Sequence, residues 1–314
     1  MAKTQTRRVK KQVFNEKLYK YSLGTKENPG ALTQFATYGL LICVAFIFLY
    51  PLLYMIATSF MSLDDLLDVS VRWIPNQLDL VNYKKAWKVL DYPTVFPQTL
   101  LITILPSLIQ TFICSVVAYG FARYKFKGKG FFLAFLILTY VIPPQITMMP
   151  RYRLMSQLGL LGSLHAFLLP AVLGQGLYSA LFILILMQFY KQIPGALIEA
   201  ARIDGAGHFR TYFQIAVPSA VGAHIVVFLF SVVWYWNETY LTNLYLRGSS
   251  AGRSLTTLML KLNQFTTDYE AIYPAVESQA NRLNEALEMA GTILCILPLL
   301  IVYFVMQRYF VESI

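Results

Sequence analysis

The sequence predicts an all-α integral membrane protein with six transmembrane helices and a charged cytoplasmic loop between the fourth and fifth. Three observations carry that expectation. Of 314 residues, 57% are hydrophobic and only 13% charged, where a soluble domain carries roughly 25% charged residues. Six uncharged apolar runs are each about 20 residues or longer, enough to cross a bilayer as helices. Basic residues gather beside those runs on alternate sides, the positive-inside pattern. The runs consume most of the length, so one membrane domain is expected over 35–314, behind a basic cytoplasmic tail at 1–34.

The elements follow in order. The tail carries Lys3, Arg7, Arg8, Lys10, Lys11, Lys17, Lys20 and Lys26. The first run, about 33–60, is longer than the apolar core of a signal peptide and no small-residue cleavage site follows, so it reads as a retained span. The second run is about 96–121, and RYKFKGKG at 123–130 supplies the next basic cluster. The third, about 130–149, contains Pro143-Pro144. The fourth is about 165–190, although uncharged sequence extends from Leu154 to Tyr190, too long for one straight crossing. There LGLLGSLHAFLLP is expected to form a short interfacial helix outside, with Pro170 starting or kinking the span proper. The fifth run is about 213–237 and the sixth about 288–308. In lipid each backbone must satisfy its own hydrogen bonds, which leaves helices. Prolines 51, 106, 143, 144, 218 and 298 recur within the runs and free backbone carbonyls; plain bending is the simpler reading of any one of them.

The basic clusters set the topology. Both termini, 122–130 and Lys191 to Arg210 lie inside, and 61–95, 150–164 and 238–287 lie outside. The net charge is +10. Nucleic acid is a conceivable partner for such a balance, but cationic residues confined to the flanks of spans match anionic lipid instead. A secondary transporter is disfavoured, because no internal repeat is evident and no carboxylate lies deep in a span. No His/Cys/Asp constellation has the spacing of a metal or catalytic site. Cys43, Cys114 and Cys295 all fall in apolar runs, where packing is the expected role. A nucleotide-binding GxxxxGK[ST] loop is missing, and Gly128-Lys129-Gly130 lacks its context, so the chain does not hydrolyse ATP by that route.

One cytoplasmic stretch is unusual for so apolar a chain: KQIPGALIEAARIDGAGHFRTYFQIAVPS, residues 191–219. Pro194 suits a first helical turn. ALIEAARI is a short helix former whose Ala196, Ala200 and Ala201 make a small-residue face. Gly205 and Gly207 break the run and permit positive φ. HFRTYFQIAV is a second helix, with Phe209, Tyr212, Phe213 and Val217 spaced to bury one side. Two such short helices are marginal alone in water and need a surface to rest on.

The motif Glu199-Ala200-Ala201, three residues, Gly205, nine residues, Ile215, one residue, Val217-Pro218 resembles the EAA loop of binding-protein-dependent ABC importer permeases. Val217 stands where that family prefers Leu. The fuller string EAARIDGA, with Asp204 and Ala206, resembles the sugar branch. FARYKFKGKG, VIPPQITMMPRYRLMSQLGLLGSLHAFLLP, WNETYL and LPLLIVYFVMQRYFVESI are similar to further stretches of maltose-type, MalG-like permeases, with Ser313 where Gly is usual. The segment 262–285 is longer and more polar than the family leads one to expect.

The resemblance implies a permease of a prokaryotic inner or plasma membrane, importing a sugar or oligosaccharide. Its implied partners are a sister permease, an ABC ATPase dimer that uses the ATP, and an extracytoplasmic sugar-binding protein. The chain itself would bind no cofactor. Glu199, Ala200, Ala201, Asp204, Gly205 and Ala206 would form the coupling helix and turn seated in a cleft of the ATPase, with Glu199 facing a basic group there. The outer 238–287 loop, through Asn263, Gln264, Tyr269 and Tyr273, would meet the binding protein; a plain solvated loop is the simpler reading of each residue. A permease for a non-sugar solute is the nearest alternative.

Polar groups at membrane depth are costly and therefore informative. Among Gln110, Gln145, Gln175, Gln188, His224, Trp234, Trp236 and Asn237, the expected solute path comprises Gln145, beside the proline break, and Trp236 with Asn237 near the outer mouth. Trp234 and Tyr235 read as an interfacial belt, and His224 as a satisfied interhelical bond. Arg151 and Arg153 would attract an acidic sugar or snorkel to the interface, of which snorkelling is the simpler.

Overall fold

The computed structural model describes residues 24, 29–246, 255–274 and 282–311, the last three by backbone alone. Most of the basic tail, residues 275–281 of the polar outer segment, and Ser313 lie outside the described residues. By backbone contacts the chain divides into two compact units, Met1–Leu78 and Asp79–Ile314.

The first unit carries α1, Ala31–Ser59, and α2, Leu63–Leu67. At about 1.5 Å per residue, the 29 residues of α1 exceed a hydrocarbon layer. None of its most apolar stretch is buried within the structure; Phe35, Ile42 and Phe48 all stand exposed. Cys43 is exposed as well, so the packing role expected for it is not seen within the chain. A capping box starts α2: the Asp65 amide donates to Ser62 Oγ at 3.1 Å and the Ser62 amide to Asp65 Oδ2 at 3.3 Å. Asn76 Nδ2 donates to Asp65 Oδ1 at 2.7 Å, folding the following loop back.

The second unit is built on α4, Tyr92–Arg123, which follows the short α3, Val81–Val89. Within α4's most apolar stretch 44% of residues are buried, the largest share of the three unbroken spans. Around it lie α5, Lys129–Val141; α6, Pro144–Gln157; α7, His165–Val172; α8, Ser179–Gln192; and α9, Gly195–Ile203. Then come α10, His208–Thr211; a π turn, Tyr212–Ala216; α11, Val217–Ser219; and α12, Val221–Asn237. The described residues end with α13, Tyr240–Leu246; α14, Leu258–Asn263; α15, Phe265–Ile272; and α16, Glu285–Val311. α4 packs against α7, α8 and α12, and α16 against α3 and α12.

Among the described residues three helices are long and apolar enough to cross a bilayer, and up to six segments are if each of three bent helix pairs is one span. α1, α4 and Glu285–Arg308 of α16 are continuous, whereas α5 with α6, α8 with α9, and His208–Ser219 with α12 turn by 98°, 72° and 78°. Each break has a local cause. Ile142 precedes a proline and is extended, at φ −65° and ψ 122°, because a following ring disfavours helical backbone. Pro144 then opens α6, where no amide hydrogen is missed. The fourth run is not one span kinked at Pro170. That proline sits inside α7, and the chain breaks at Leu173–Tyr178, where Gly174 and Tyr178 take φ +67° and +56°. The fifth straightens only at Val221, after Ala220 at φ −119°.

Three buried clusters hold the second unit together. One, at the end of α4 that approaches α9, joins Cys114, Tyr119, Phe182, Leu186, Tyr190 and Tyr212. A second packs Leu90, Trp236, Leu258, Tyr269, Leu287 and Cys295, and a third Ile102, Phe167, Tyr235 and Tyr245. Cys114 and Cys295 thus pack as expected.

Candidate functional site: an exposed helix between α8 and α12

α9 is a nine-residue helix that the sequence starts and stops sharply. Pro194, at φ −56° and ψ 133°, turns the chain out of α8. The helix closes in a Schellman motif: the Ala206 amide donates to Ala201 O at 2.8 Å and the Gly205 amide to Arg202 O at 3.0 Å. This pairing requires a left-handed residue just past the end, and Gly205 supplies it at φ +78°. The second alanine of the EAA string therefore opens the capping turn, Ala206 closes it, and the glycine supplies its left-handed residue. Gly207 has no such role; it is extended, at φ −69° and ψ 172°.

Only one stripe of α9 is buried, Ile198 and Ala201. Glu199, Ala200, Asp204 and Gly205 are exposed and Ala206 is half-buried. Beside them Leu197 and Ile203 stand 50% and 86% exposed, and Phe209 81%. Among the described residues neither Glu199 nor Arg202 has an ion-pair partner; the one pair there is Lys261–Asp268, at 2.8 Å. Exposed leucine, isoleucine and phenylalanine beside an unpaired carboxylate make an apolar patch with a charged rim, the composition of a protein-docking surface.

The loop is tied to α4. Arg123 donates to the Ile193 carbonyl, and Tyr124 Oη lies 3.0 Å from His208 Nδ1. Past the glycines the backbone widens into the π turn, where the Val217 amide bonds Tyr212 O. Pro218 has no amide hydrogen to continue the ordinary ladder, which accounts for the slip. The slip also redirects side chains. Tyr212 is buried, but Phe209 and Phe213 are exposed, so the single buried face expected over Phe209–Val217 does not form.

The other expected site residues are dispersed. Gln145 is exposed in the first turn of α6. Trp236 is buried and its Nε1–H donates to Cys295 O at 3.2 Å, which leaves no donor for a solute. Asn237 is exposed, and its amide nitrogen donates to Val233 O at 2.9 Å. Asn263 is exposed and Gln264 half-buried. Tyr269 is fully buried against Phe265, whereas Tyr273 is half-buried, with Lys85 and Lys88 each 5.5 Å from its ring centre. Tyr235 is not a belt residue: it is buried among Ile102 and Phe167, and Trp234, 37% exposed, remains at the surface against Tyr178. Arg153 is exposed, whereas half-buried Arg151 lines a small pocket with Gln175, Tyr235 and Tyr245. The exposed Leu197, Ile203 and Phe209 were not expected as site residues, because an apolar residue at helical spacing reads first as core.

Bent apolar helices, with a short capped helix left uncovered in one connection, have the composition of a polytopic membrane protein. Residues 110–314 match the family model for the binding-protein-dependent transport system inner membrane component. The chain belongs to that family. It is 26% identical to the polygalacturonan/rhamnogalacturonan transport system permease protein YtcP of Bacillus subtilis, over 88% of this chain and 94% of that one. It is 27% identical to the arabinooligosaccharides transport system permease protein AraQ of Halalkalibacterium halodurans, over 86% and 91%. Its fold matches a chain of a bacterial ABC transporter involved in importing the acidic polysaccharide alginate, with TM-score 0.71, 23% identity, and 89% and 96% of the two chains covered.

Proposed function

We propose that the chain is the permease subunit of an ATP-driven importer of a sugar or oligosaccharide. A sister permease completes the translocation path, and a separate ABC ATPase dimer drives it through α9. Both termini and α9 face the cytoplasm, and the 238–287 segment faces an extracytoplasmic sugar-binding protein. The carrying observation is the uncovered face of α9, Leu197, Glu199, Ala200 and Ile203, closed by its Schellman turn. Polygalacturonan/rhamnogalacturonan in the name of YtcP and arabinooligosaccharides in that of AraQ support a carbohydrate for this chain.

In mechanism, closure of the ATPase dimer on nucleotide displaces α9 as a lever. The ties of its flanking residues Ile193 and His208 to Arg123 and Tyr124 pass the displacement to the spans. The cavity then exchanges inward-open and outward-open packings, a shift between two states driven by differential contacts. The test is to purify the chain from its host in mild detergent, reconstitute it with its co-purifying subunits and binding protein, and measure uptake. ATP-dependent uptake of oligosaccharide is expected. Absence of a co-purifying ATPase, or proton-driven uptake by the chain alone, overturns the reading. ATP-driven uptake of a non-sugar solute with none of sugars overturns the substrate class alone.

A further inference from the structure

A polar cluster lies in the apolar interior between the coupling loop and the spans. Ser115 of α4 places its Oγ 2.6 Å from Tyr190 Oη of α8, 2.6 Å from Tyr212 Oη of the π turn and 2.7 Å from His224 Nε2 of α12. Tyr190 Oη is also 3.0 Å from His224 Nε2. Four segments meet on one hydroxyl. Ser115 and Tyr190 are 1% and 0% exposed and Tyr212 6%, and His224 is half-buried.

The donors and acceptors of the cluster can be assigned. His224 Nδ1 lies 2.7 Å from the Ala220 carbonyl, which can only accept, so Nδ1 carries the proton. With the ring neutral, Nε2 is an acceptor. Ser115 donates its one hydrogen to Nε2 and has two lone pairs for the phenols of Tyr190 and Tyr212. Its bonding capacity is then full. The same histidine bonds the backbone at Ala220, the residue where α12 bends.

The phenols are not interchangeable. Without Ser115, Tyr190 still reaches His224, whereas Tyr212 is left with the Tyr190 phenol as its one polar neighbour. Tyr212 is the first residue of the π turn, immediately past α10 and the coupling helix. Its bond to Ser115 is a direct polar link from that loop into α4.

We propose that Ser115 and Tyr212 are positioning residues that couple displacement of the cytoplasmic loop to rearrangement of the spans, with His224 orienting Ser115. The proposal rests on the importer reading above. It assigns a role in energy transfer and none in solute contact or nucleotide chemistry. A polar link between buried hydroxyls has a defined register, because a half-made set of bonds leaves a buried hydroxyl unpaired, whereas an apolar contact can slide.

The test uses the assembled transporter in proteoliposomes with its binding protein, reading solute imported per ATP hydrolysed. Ser115→Ala and Tyr212→Phe are each expected to lower that ratio at least threefold while ATPase subunits remain bound in wild-type proportion. Tyr190→Phe is expected to leave it within a factor of 1.5, and Ser115→Thr, which restores the hub hydroxyl, to recover most of the loss. The double variant Ser115→Ala/Tyr212→Phe is expected to be no worse than Ser115→Ala, since both cut one link. A wild-type ratio in Tyr212→Phe, or an equal loss in Tyr190→Phe, overturns the proposal. So does a parallel fall of ATPase activity and transport at constant ratio. A wild-type transporter with no ATP-dependent uptake sinks the importer reading instead, before any variant is compared.

Discussion

Replacing Gly205 isolates the turn that ends α9 from everything else in the loop. The residue sits at φ +78° and a Cβ there would meet nothing within 4 Å, so a side chain costs conformation and not contact. An L-residue in the left-handed region costs about 1–2 kcal/mol, which the narrower unfolded loop of alanine offsets by about 0.4–1 kcal/mol. Gly205→Ala should therefore lose about 1 kcal/mol of the closed turn, a factor of about 5 in its population. Gly205→Val should lose more, because β-branched side chains tolerate this region least. Gly205→Asn, whose short amide tolerates it, should lose only a few tenths of a kcal/mol. A nine-residue helix has little stability of its own, so the loss should pass directly into docking. The assay strips the co-purified ATPase subunits with salt and titrates them back onto detergent-solubilised permease. Affinity should fall in the order Gly, Asn, Ala, Val. Gly207→Ala is the control: the backbone is extended there and a Cβ meets nothing within 4 Å, so affinity should not change. Equal losses for Ala and Asn at 205, or a loss at 207 matching that at 205, would refute the argument from backbone handedness.

Three further outcomes are expected. Glu199→Lys should weaken ATPase association about 10- to 100-fold, the worth of a hydrogen bond to a charged group, without lowering membrane insertion; wild-type ATP-driven uptake would contradict the docking role. Gly176→Ala should lower thermal stability in detergent by about 1–3 kcal/mol through overpacking, because the new Cβ would fall 2.4 Å from Gln110 Oε1 and 2.7 Å from Tyr235 Oη; an unchanged melting temperature would show that both side chains can yield. Burial opposes ionisation of Asp65, but hydrogen bonds from Asn76 and Ser62 outweigh it and hold the carboxyl below its ordinary 3.8. Its contribution to the 62–76 loop should be full above that value and vanish as pH falls through the lowered one. Amide protection of Asp65, corrected for intrinsic exchange, should follow that direction and lose it in Asp65→Asn; protection that rises on acidification would contradict the assignment.

Some of this was legible in the amino-acid order and some was not, for identifiable reasons. Long apolar runs mark membrane segments through composition alone, and α1 and α16 follow their runs closely at both ends. The bend after Val141 has a visible agent in Pro143-Pro144. The break at Leu173–Tyr178 has one in Gly174, but its far end does not, because Tyr178 takes φ +56° with nothing in its residue type to announce it. α9 was readable because its terminators are local, Pro194 before it and Gly205 after it. Its uncovered face was not, since Leu197 and Ile203 have the spacing of core residues and only the fold shows which stripe is buried. The Ser115 cluster was the least accessible. His224 reads as an interhelical group, but its partners lie 34 and 109 positions away along the chain. Ser115 is one small hydroxyl in an apolar run. Trp236 beside Asn237 looked like a solute-binding pair, until the Cys295 carbonyl took its indole hydrogen.

The central claim is that another subunit's nucleotide-driven motion enters this chain at α9. Site-specific photo-crosslinking in the assembled transporter tests it most directly, with a photoreactive residue at Ala200 or Ile203 and a control at the exposed Thr267 of α15. Crosslinks from 200 and 203 to the ATPase subunit, with yields that change when nucleotide is added and none from 267, are the predicted result. Crosslinks from 200 and 203 only to lipid or to the extracytoplasmic binding protein would contradict it.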